Sequence, residues 1–295
     1  MISVRVALMA VALGAMSGSA WAQPAAESAA PVSIRFEGVV GDQPFACGTT
    51  YPGLGMTKSA VRVSDFRFYV SALRLVRADG TEVPVTLAQD GLWQHEDVAL
   101  VDFEDATGAC MNGTPETRHV VEGTAPAGAY TGVRFEMGLP FDKNHQEPTL
   151  QPSPLNVSRM FWNWNGGYKF LRLDIRSTGQ PQGWMVHLGS TGCTPGGSAT
   201  TVPTECKHGN RVTVDLPSFS VARDVIQFDM AALLAGANVD AFTEKTARGC
   251  MSGPADPDCA PLFDALGLAF GDAPASTQRV FRVRPSSTMA RGEQR

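Results

Sequence analysis

Apolar and polar residues alternate in segment after segment of this chain, and that alternation constrains the fold more than any other feature. Successive side chains of an extended strand point to opposite faces, so alternation indicates strands with one buried face. Turns rich in Gly, Pro and Asp separate the segments. The pattern predicts an all-β fold, an antiparallel β-sandwich or barrel-like single domain. The predicted strands are 32–40, 61–76, 82–87, 98–104, 130–139, 168–176, 184–190, 211–216, 225–230 and 280–284.

Helical spacing of apolar residues is confined to two short segments, 229–236 and 260–268. We expect these helices to cover the ends of the sheets. No internal repeat and no shift in composition separates these helices and the strands into different domains. Residues 32–286 are therefore predicted to form one β domain with a few short helices.

The two ends of the chain have a different composition from this domain. Residues 1–22 combine Arg5, an apolar core and the small residues Ala20 and Ala22, which is typical of a signal peptide cleaved before Gln23. Residues 23–31 are predicted to be a flexible leader and 287–295 a disordered tail. No later segment approaches the roughly 18 apolar residues of a membrane-spanning helix. The sequence therefore predicts export without a membrane span.

The charge balance excludes some partners. Lys and Arg number 24 against 29 Asp and Glu, a formal net charge of −5. An acidic chain is poorly suited to nucleic acid or to an anionic membrane surface. We therefore expect neither as a partner.

Six cysteines in an exported chain indicate disulfide bonds. Two local pairs would close short loops, and the remaining two cysteines would then pair. Each bridge would contribute ~2–4 kcal/mol, mainly by restraining loops. Other connectivities are compatible with the sequence, whereas thiolate metal ligands are a weaker alternative because no pair has CxxC spacing. The predicted bridges are Cys47–Cys110, Cys193–Cys206 and Cys250–Cys259.

Several familiar sites are absent from the sequence. It contains no CxxCH motif for covalent haem, no HExxH zinc helix and no GxSxG nucleophile elbow. Two histidines remain as candidate metal ligands. His145 follows a strand in the polar loop FDKNHQEP, and His187 lies in WMVHLGS, where Met185 shares its strand face. A hydrogen-bonded, structural role remains the alternative for each histidine.

The segment FWNWNGGY, residues 161–168, is the most unusual in the chain. Trp162 and Trp164 lie two residues apart, so in an extended chain their rings point the same way. They could form part of the core, or a flat platform on which sugar rings stack. The neighbouring Asn and Gly residues are more typical of a binding site than of a core.

Five longer motifs resemble the MbnP family, and the resemblance extends from about residue 32 to 284. Members of that family are exported partners of di-haem, MauG-like peroxidases. The family pattern has four cysteines and this chain has six, so one bridge would be an addition. The motifs are PFACG (44–48), SDFRFYVSALRLV (64–76), MFWNWNGGYKFLRLD (160–174), HLGSTGC (187–193) and GCMSG with DPDC (249–253, 256–259).

The resemblance implies a periplasmic protein, not an enzyme, that binds one copper ion as Cu(I) for copper homeostasis or transfer. Its site would be completed when the di-haem partner oxidises Trp162 to kynurenine. An extracytoplasmic carbohydrate-binding or ligand-binding sandwich is the alternative. The implied ligands are His145, His187 and the modified Trp162, with Met160 and Met185 as further thioether candidates and Phe161, Trp164 and Tyr168 as supporting residues.

The implied chemistry is physically reasonable. The indole nitrogen is a poor ligand because its lone pair belongs to the aromatic system, whereas ring opening produces an aniline-type amine and a ketone. Cu(I) is soft and accepts low coordination, so two imidazoles and an amine suffice. Aromatic neighbours would keep water away from the ion.

Overall fold

The computed structural model describes residues 28–111, 113–163, 166–194 and 202–285. Its strands, in chain order, are β1 (Ala29–Val40), β2 (Gln43–Pro44), β3 (Thr50–Leu54), β4 (Ser59–Val76), β5 (Glu82–Pro84), β6 (Thr86–Leu87), β7 (Gln94–His95), β8 (Val98–Asp102), β9 (Val120–Pro126), β10 (Gly132–Met137), β11 (Phe161–Asn163), β12 (Gly167–Tyr168), β13 (Leu171–Ser177), β14 (Trp184–Leu188), β15 (Thr191–Thr194), β16 (Glu205–His208), β17 (Val212–Leu216), β18 (Val225–Asp229), β19 (Gly249–Cys250) and β20 (Phe281–Arg284).

The helices are short and lie between the strands. The α-helices are α1 (Phe141–Asn144), α2 (Met230–Leu234) and α3 (Ala260–Ala265), and single turns of 3-10 helix occur at Pro148–Leu150, Ser158–Met160 and Pro257–Cys259. Asp229 begins α2 by accepting hydrogen bonds from the backbone N–H groups of Ala231 and Ala232. The two helices expected from sequence are confirmed, each a little shorter than predicted.

Two sheets make up most of the molecule. The first has six strands in the order β20-β18-β1-β9-β6, with β2 beside β1. The second has ten strands along the path β17-β10-β4-β13-β14-β19, with β3, β5 and β8 also paired to β4 and β7 paired to β8. Two small hairpins, β11–β12 and β15–β16, complete the strands. The prediction of an all-β, sandwich-like fold is confirmed.

Phenylalanine rings fill the space between the two sheets. Phe68 of the larger sheet contacts Phe36, Phe228 and Phe281 of the smaller one, with ring centroids 5.5 to 5.9 Å apart. All four rings are buried. Such aromatic contacts stabilise a core beyond the free energy of burying their apolar area. The alternating apolar positions of β1 and β4 thus meet in a single core.

The other face of the larger sheet is polar, and its central part, where β4, β13 and β14 adjoin, is also buried. Arg67 of β4 donates to Asp65 through Nη2, at 2.5 Å, and Arg172 of β13 reaches the same carboxylate through Nε, at 3.2 Å. Arg172 also donates to Asp174, through Nη2 at 2.7 Å. Arg172 and Lys169 both donate to the carbonyl oxygen of Arg159, so the segment before β11 covers this face.

All three disulfides have the predicted pairing: Cys47–Cys110, Cys193–Cys206 and Cys250–Cys259. Cys193 and Cys206 are directly opposite each other in the β15–β16 hairpin. Cys250 of β19 is joined to the 3-10 turn that precedes α3. The bridges therefore restrain loops and short edge elements, as expected from their place in the sequence.

Several strands, β9 among them, were missing from the prediction, and three further details of it were wrong. The sheets are not purely antiparallel, because β1 pairs with β18 and β14 with β19 in parallel. Ala29–Pro31, assigned to the leader, belong to β1, since they pair with Thr124–Pro126 of β9. The predicted strand 168–176 is interrupted at Lys169 and Phe170.

The remaining predictions about the ends of the chain concern residues outside the described ranges. Residues 1–27 and 286–295 fall there, which includes the signal peptide, most of the leader and the tail. None of the helices within the described ranges combines the length and the apolar character that a membrane crossing needs.

The buried carboxyl group of Asp102 gives a prediction for stability. Burial raises its pKa to about 7, although the nearby Arg67 guanidinium opposes this. The folded protein binds this proton more tightly than the unfolded chain does. The protonated carboxyl group therefore contributes to the free energy of unfolding at low pH, and this contribution is lost between about pH 4 and pH 7. Asp102→Asn cannot ionise, so its stability relative to the natural protein should increase as the pH rises. The difference corresponds to at most about 4 kcal/mol.

Guanidinium unfolding at about pH 4.5 and about pH 8 measures this difference. Asp42→Asn, at an exposed carboxylate, is the matched control. Parallel stability profiles for Asp102→Asn and the natural protein would show that the carboxyl group does not retain its proton in the fold.

Candidate metal centre

His187 is a buried imidazole with one satisfied and one unsatisfied nitrogen. Its ring lies on the polar face of β14 and is 5% exposed. Nε2 lies 2.6 Å from Asp174 Oδ1, whereas Nδ1 has no hydrogen-bond partner within the described part of the chain. A buried polar atom without a partner costs free energy, so Nδ1 is an atom at which binding of a ligand would be favourable.

The protonation state of His187 follows from its surroundings. Burial lowers the pKa of His187, and the Lys169 and Arg172 cations act in the same direction, against the opposing effect of Asp174. The ring is therefore neutral at neutral pH. Because Nε2 faces a carboxylate, the hydrogen-bond network assigns the proton to Nε2 and leaves a lone pair on Nδ1.

Asp174 holds this imidazole in place. Its Oδ2 accepts from Arg172 Nε at 3.0 Å and Nη2 at 2.7 Å, while Oδ1 faces His187. Burial raises the pKa of Asp174, but the contacts with His187 and Arg172 outweigh it and lower the pKa to about 2. An ionised carboxylate bonded to one imidazole nitrogen is the arrangement that orients histidine ligands in metal sites.

Trp162 lies beside His187 because Gly189 leaves room for its ring. The two ring centroids are 6.3 Å apart, and Trp162 is partly exposed. A Cβ atom on Gly189 would lie 2.4 Å from Trp162 Cζ3 and 2.7 Å from the carbonyl oxygen of Tyr168. Glycine at 189 therefore allows the β11–β12 hairpin to pack its indole against the end of β14.

His145 lies at the end of α1, next to a residue that contacts the β11–β12 hairpin. Its neighbour Asn144 accepts a hydrogen bond from the backbone N–H of Tyr168, at 2.9 Å, which ties α1 to the β11–β12 hairpin. His145 Nε2 lies 3.1 Å from Asn144 Nδ2, 3.3 Å from the Sγ of Cys206 and 3.9 Å from that of Cys193. The structure thus brings His187 and Trp162 together, and it places His145 against the disulfide in the strand that follows His187.

The two candidate methionines differ in position. Met160 is fully buried and belongs to the apolar core. Met185 is partly exposed and lies opposite Asp174 in the β13–β14 register, on the same face as His187. Met185 is therefore better placed than Met160 to lie near an ion bound at His187.

The supporting aromatic residues have different surroundings. Phe161 and Tyr168 pack edge to face with ring centroids 4.9 Å apart. Tyr168 is fully buried, and its hydroxyl group donates to the carbonyl oxygen of Leu155 at 2.5 Å. Trp164 lies outside the described residues.

Sequence reasoning missed Asp174, Arg172, Lys169 and Gly189. The alternation in YKFLRLDIR places Arg172 and Asp174 on one strand face, which is ordinarily the solvent face. Burial and the charge of Arg172 lower the pKa of Lys169 to about 8. In the sequence, these residues could have been found only as a group of charged side chains immediately after the tryptophan motif. Their burial could not be predicted, because it depends on the segment that covers the sheet.

The fold and the donor atoms define a disulfide-linked β-sandwich protein with a candidate imidazole metal centre. The chain belongs to the MbnP family, whose family model matches residues 29–252. The structure of MbnP from Methylosinus trichosporium is similar to it, with a TM-score of 0.80 and 32% sequence identity over 88% of this chain and 100% of that chain. No curated protein matches this chain. The resemblance noted from the sequence is confirmed.

The close approach of Gly189 to the indole ring can be tested. In Gly189→Ala, the added methyl group would overlap Trp162, so the ring or the hairpin must shift. We expect a loss of about 1–3 kcal/mol in the free energy of unfolding and an altered near-ultraviolet circular dichroism spectrum. Gly209→Ala is the matched control, because a Cβ at Gly209 meets nothing within 4 Å. Equal stability and equal spectra for both variants would contradict the packing described.

Proposed function

We propose that this chain is a periplasmic copper-binding protein that holds one Cu(I) ion for copper homeostasis or transfer and is not an enzyme. The proposed ligands are His187, His145 and the amine of a kynurenine formed from Trp162. Membership of the MbnP family supports an association with copper. The observation that carries the proposal is the buried Nδ1 atom of His187, which has no hydrogen-bond partner among the described residues.

The residues present fit a copper ion. Neutral imidazole is a good ligand for copper, and the Asp174 carboxylate fixes the tautomer that leaves Nδ1 available. Lys169 and Arg172 oppose an additional positive charge at His187. Burial and these two cations favour a monovalent ion over a divalent one, because the free-energy cost of desolvating charge increases with the charge.

Trp162 supplies the third donor only after oxidation. Conversion of tryptophan to kynurenine opens the indole, replaces one carbon atom by one oxygen atom in the net composition, and produces a primary aromatic amine. The partial exposure of Trp162 suits oxidation by a di-haem, MauG-like partner that withdraws electrons across a docked interface. Trp164 is proposed to support the first ring or to relay the electrons.

Replacement of Trp162 tests this proposal directly. In cells that also make the di-haem partner, Trp162→Phe should abolish copper retention, because phenylalanine cannot be converted to an amine donor. Trp93→Phe, at a partly buried tryptophan outside this group, should retain copper and the mass change across residues 160–169. Copper is measured by elemental analysis of the purified protein, and the modification by peptide mass mapping.

Two outcomes would contradict the proposal. Unchanged copper retention in Trp162→Phe would show that no kynurenine amine is needed. Intact tryptophan in material made with the partner, together with binding of oligosaccharides that Trp162→Phe loses, would favour the carbohydrate-binding alternative.

The role of Asp174 gives a second prediction. In modified protein, Asp174→Asn should weaken Cu(I) binding by about 10- to 100-fold, because a neutral amide orients the His187 ring less firmly and makes it less basic. Competition with a chromophoric Cu(I) chelator measures the affinity. Asp215→Asn, whose carboxylate is exposed and paired with Arg134, is the control. Equal affinities in both variants would exclude a positioning role for Asp174.

A further inference from the structure

The β15–β16 hairpin places two sulfur atoms and an imidazole at one point. Cys193 and Cys206 are cross-strand neighbours, and the end of α1 brings His145 over them. His145 Nε2 lies 3.3 Å from Cys206 Sγ and 3.9 Å from Cys193 Sγ. The three potential ligand atoms all lie within 4.8 Å of one another. The two sulfurs are bonded to each other in the disulfide, so the independent observation is the position of the His145 imidazole beside that bridge.

Burial distinguishes this cluster from an ordinary surface bridge. His145 and Cys193 are buried, at 3% and 7% exposed, whereas Cys206 is partly exposed. A reductant can therefore approach the bridge from the side of Cys206. Two of the three donor atoms belong to buried residues, where a metal complex of low charge is favoured over one of high charge.

The other two bridges lack this combination. Both cysteines of Cys250–Cys259 are buried, and the cluster at Cys47–Cys110 offers the carboxylate of Asp105 in place of an imidazole. Carboxylate oxygen is a hard donor that suits Ca²⁺ or Mg²⁺ better than Cu(I). Of the two clusters found among the described residues, only that of His145 combines soft and borderline donors.

We propose that His145, Cys193 and Cys206 form a second, thiol-dependent Cu(I) site, which becomes available when the Cys193–Cys206 disulfide is reduced. The disulfide sulfurs are weak donors, whereas thiolates are strong ligands for Cu(I). This site requires no oxidation of Trp162, so it goes beyond the function proposed above. Two thiolates, a neutral imidazole and one monovalent ion carry a net charge of −1, which is one unit less than the two thiolates carry without the ion.

The reduction step is thiol–disulfide exchange with a dithiol. One thiolate of the dithiol attacks a sulfur of the bridge, and the second closes the reductant into its own disulfide. The Cys193–Cys206 bond breaks, its two sulfurs receive two electrons from the dithiol sulfurs, and two protons pass from the dithiol to the cysteines. Binding of Cu(I) then displaces the thiol protons to solvent.

Sharing of His145 would couple the two sites. Once Nε2 binds an ion together with the two thiolates, it is no longer available to the centre at His187 and Trp162. Reduction of this bridge would therefore weaken the kynurenine-dependent centre while it creates the thiolate centre. The chain would transfer Cu(I) between two donor sets according to the thiol redox state of its surroundings.

The test uses full-length protein made without the di-haem partner, so that Trp162 remains intact. The protein is reduced anaerobically with a water-soluble phosphine, which takes up the oxygen of one water molecule as it cleaves each disulfide, and is then desalted. Cu(I) is titrated in the presence of bicinchoninate. Reduced protein should bind one equivalent that oxidised protein does not, and X-ray absorption should show two sulfur neighbours and one nitrogen neighbour at copper.

Matched variants assign that equivalent to the proposed residues. Cys193→Ser/Cys206→Ser should lose the additional Cu(I) equivalent, whereas Cys47→Ser/Cys110→Ser should retain it. His145→Ala, with all cysteines present, should bind this Cu(I) at least tenfold more weakly. Circular dichroism checks the fold of each variant, and His145→Ala remains informative if a bridge variant unfolds.

The proposal is overturned if reduced and oxidised protein bind equally, if the equivalent survives in Cys193→Ser/Cys206→Ser, or if His145→Ala leaves it unchanged. Each of these results leaves the kynurenine-dependent centre untouched, because Trp162 is unmodified throughout. Failure of the Trp162→Phe test, in turn, leaves this thiol-dependent site untouched.

Discussion

The hydrogen bond between Asp174 and His187 is the interaction on which the candidate centre depends. It fixes the proton on Nε2 and leaves a lone pair on the buried Nδ1 atom. Asp174 can remain ionised in this position because Arg172 donates to its second oxygen. Arg172 in turn contacts Asp65, which also accepts from Arg67, so a row of alternating charges extends across β13 and β4 and ends at the neutral ring of His187 on β14. Removal of one member would leave a buried charge without its partner.

This row is possible because the larger sheet is covered on both faces where β4, β13 and β14 adjoin. Its inner face packs against the smaller sheet through phenylalanine rings, and the segment that contains Arg159 lies over the outer face. The same segment leads into the β11–β12 hairpin that carries Trp162. The covering segment therefore has two effects. It shields the row of charges from water, and it places Trp162 beside His187, which the row holds in position.

The two proposed copper sites share His145 and differ in what activates them. The centre at His187 and Trp162 needs an oxidation that converts an indole into an amine, whereas the centre at Cys193 and Cys206 needs a reduction that separates two sulfurs. Both modifications turn a weak donor into a strong one. Both sites lie at the end of the sheet where β14 gives way to β15, so a single region of the fold would respond to opposite redox conditions.

The sequence by itself predicted most of the longer strands, though not β9, together with the two longer helices and the family, and it favoured the disulfide pairing that the structure has, because alternation, cysteine spacing and long motifs are local signals. It also selected His187, Trp162 and His145 by residue type. It could not show that Arg172 and Asp174 are buried, since alternation assigns them to a solvent face, nor that Gly189 makes room for the indole. Only the tertiary structure decided these points, along with the parallel pairing of β1 with β18 and the contact of His145 with the Cys193–Cys206 bridge. The physical reason is that burial, close packing and donor convergence depend on residues far apart in the chain, which meet only when both faces of the sheet are covered.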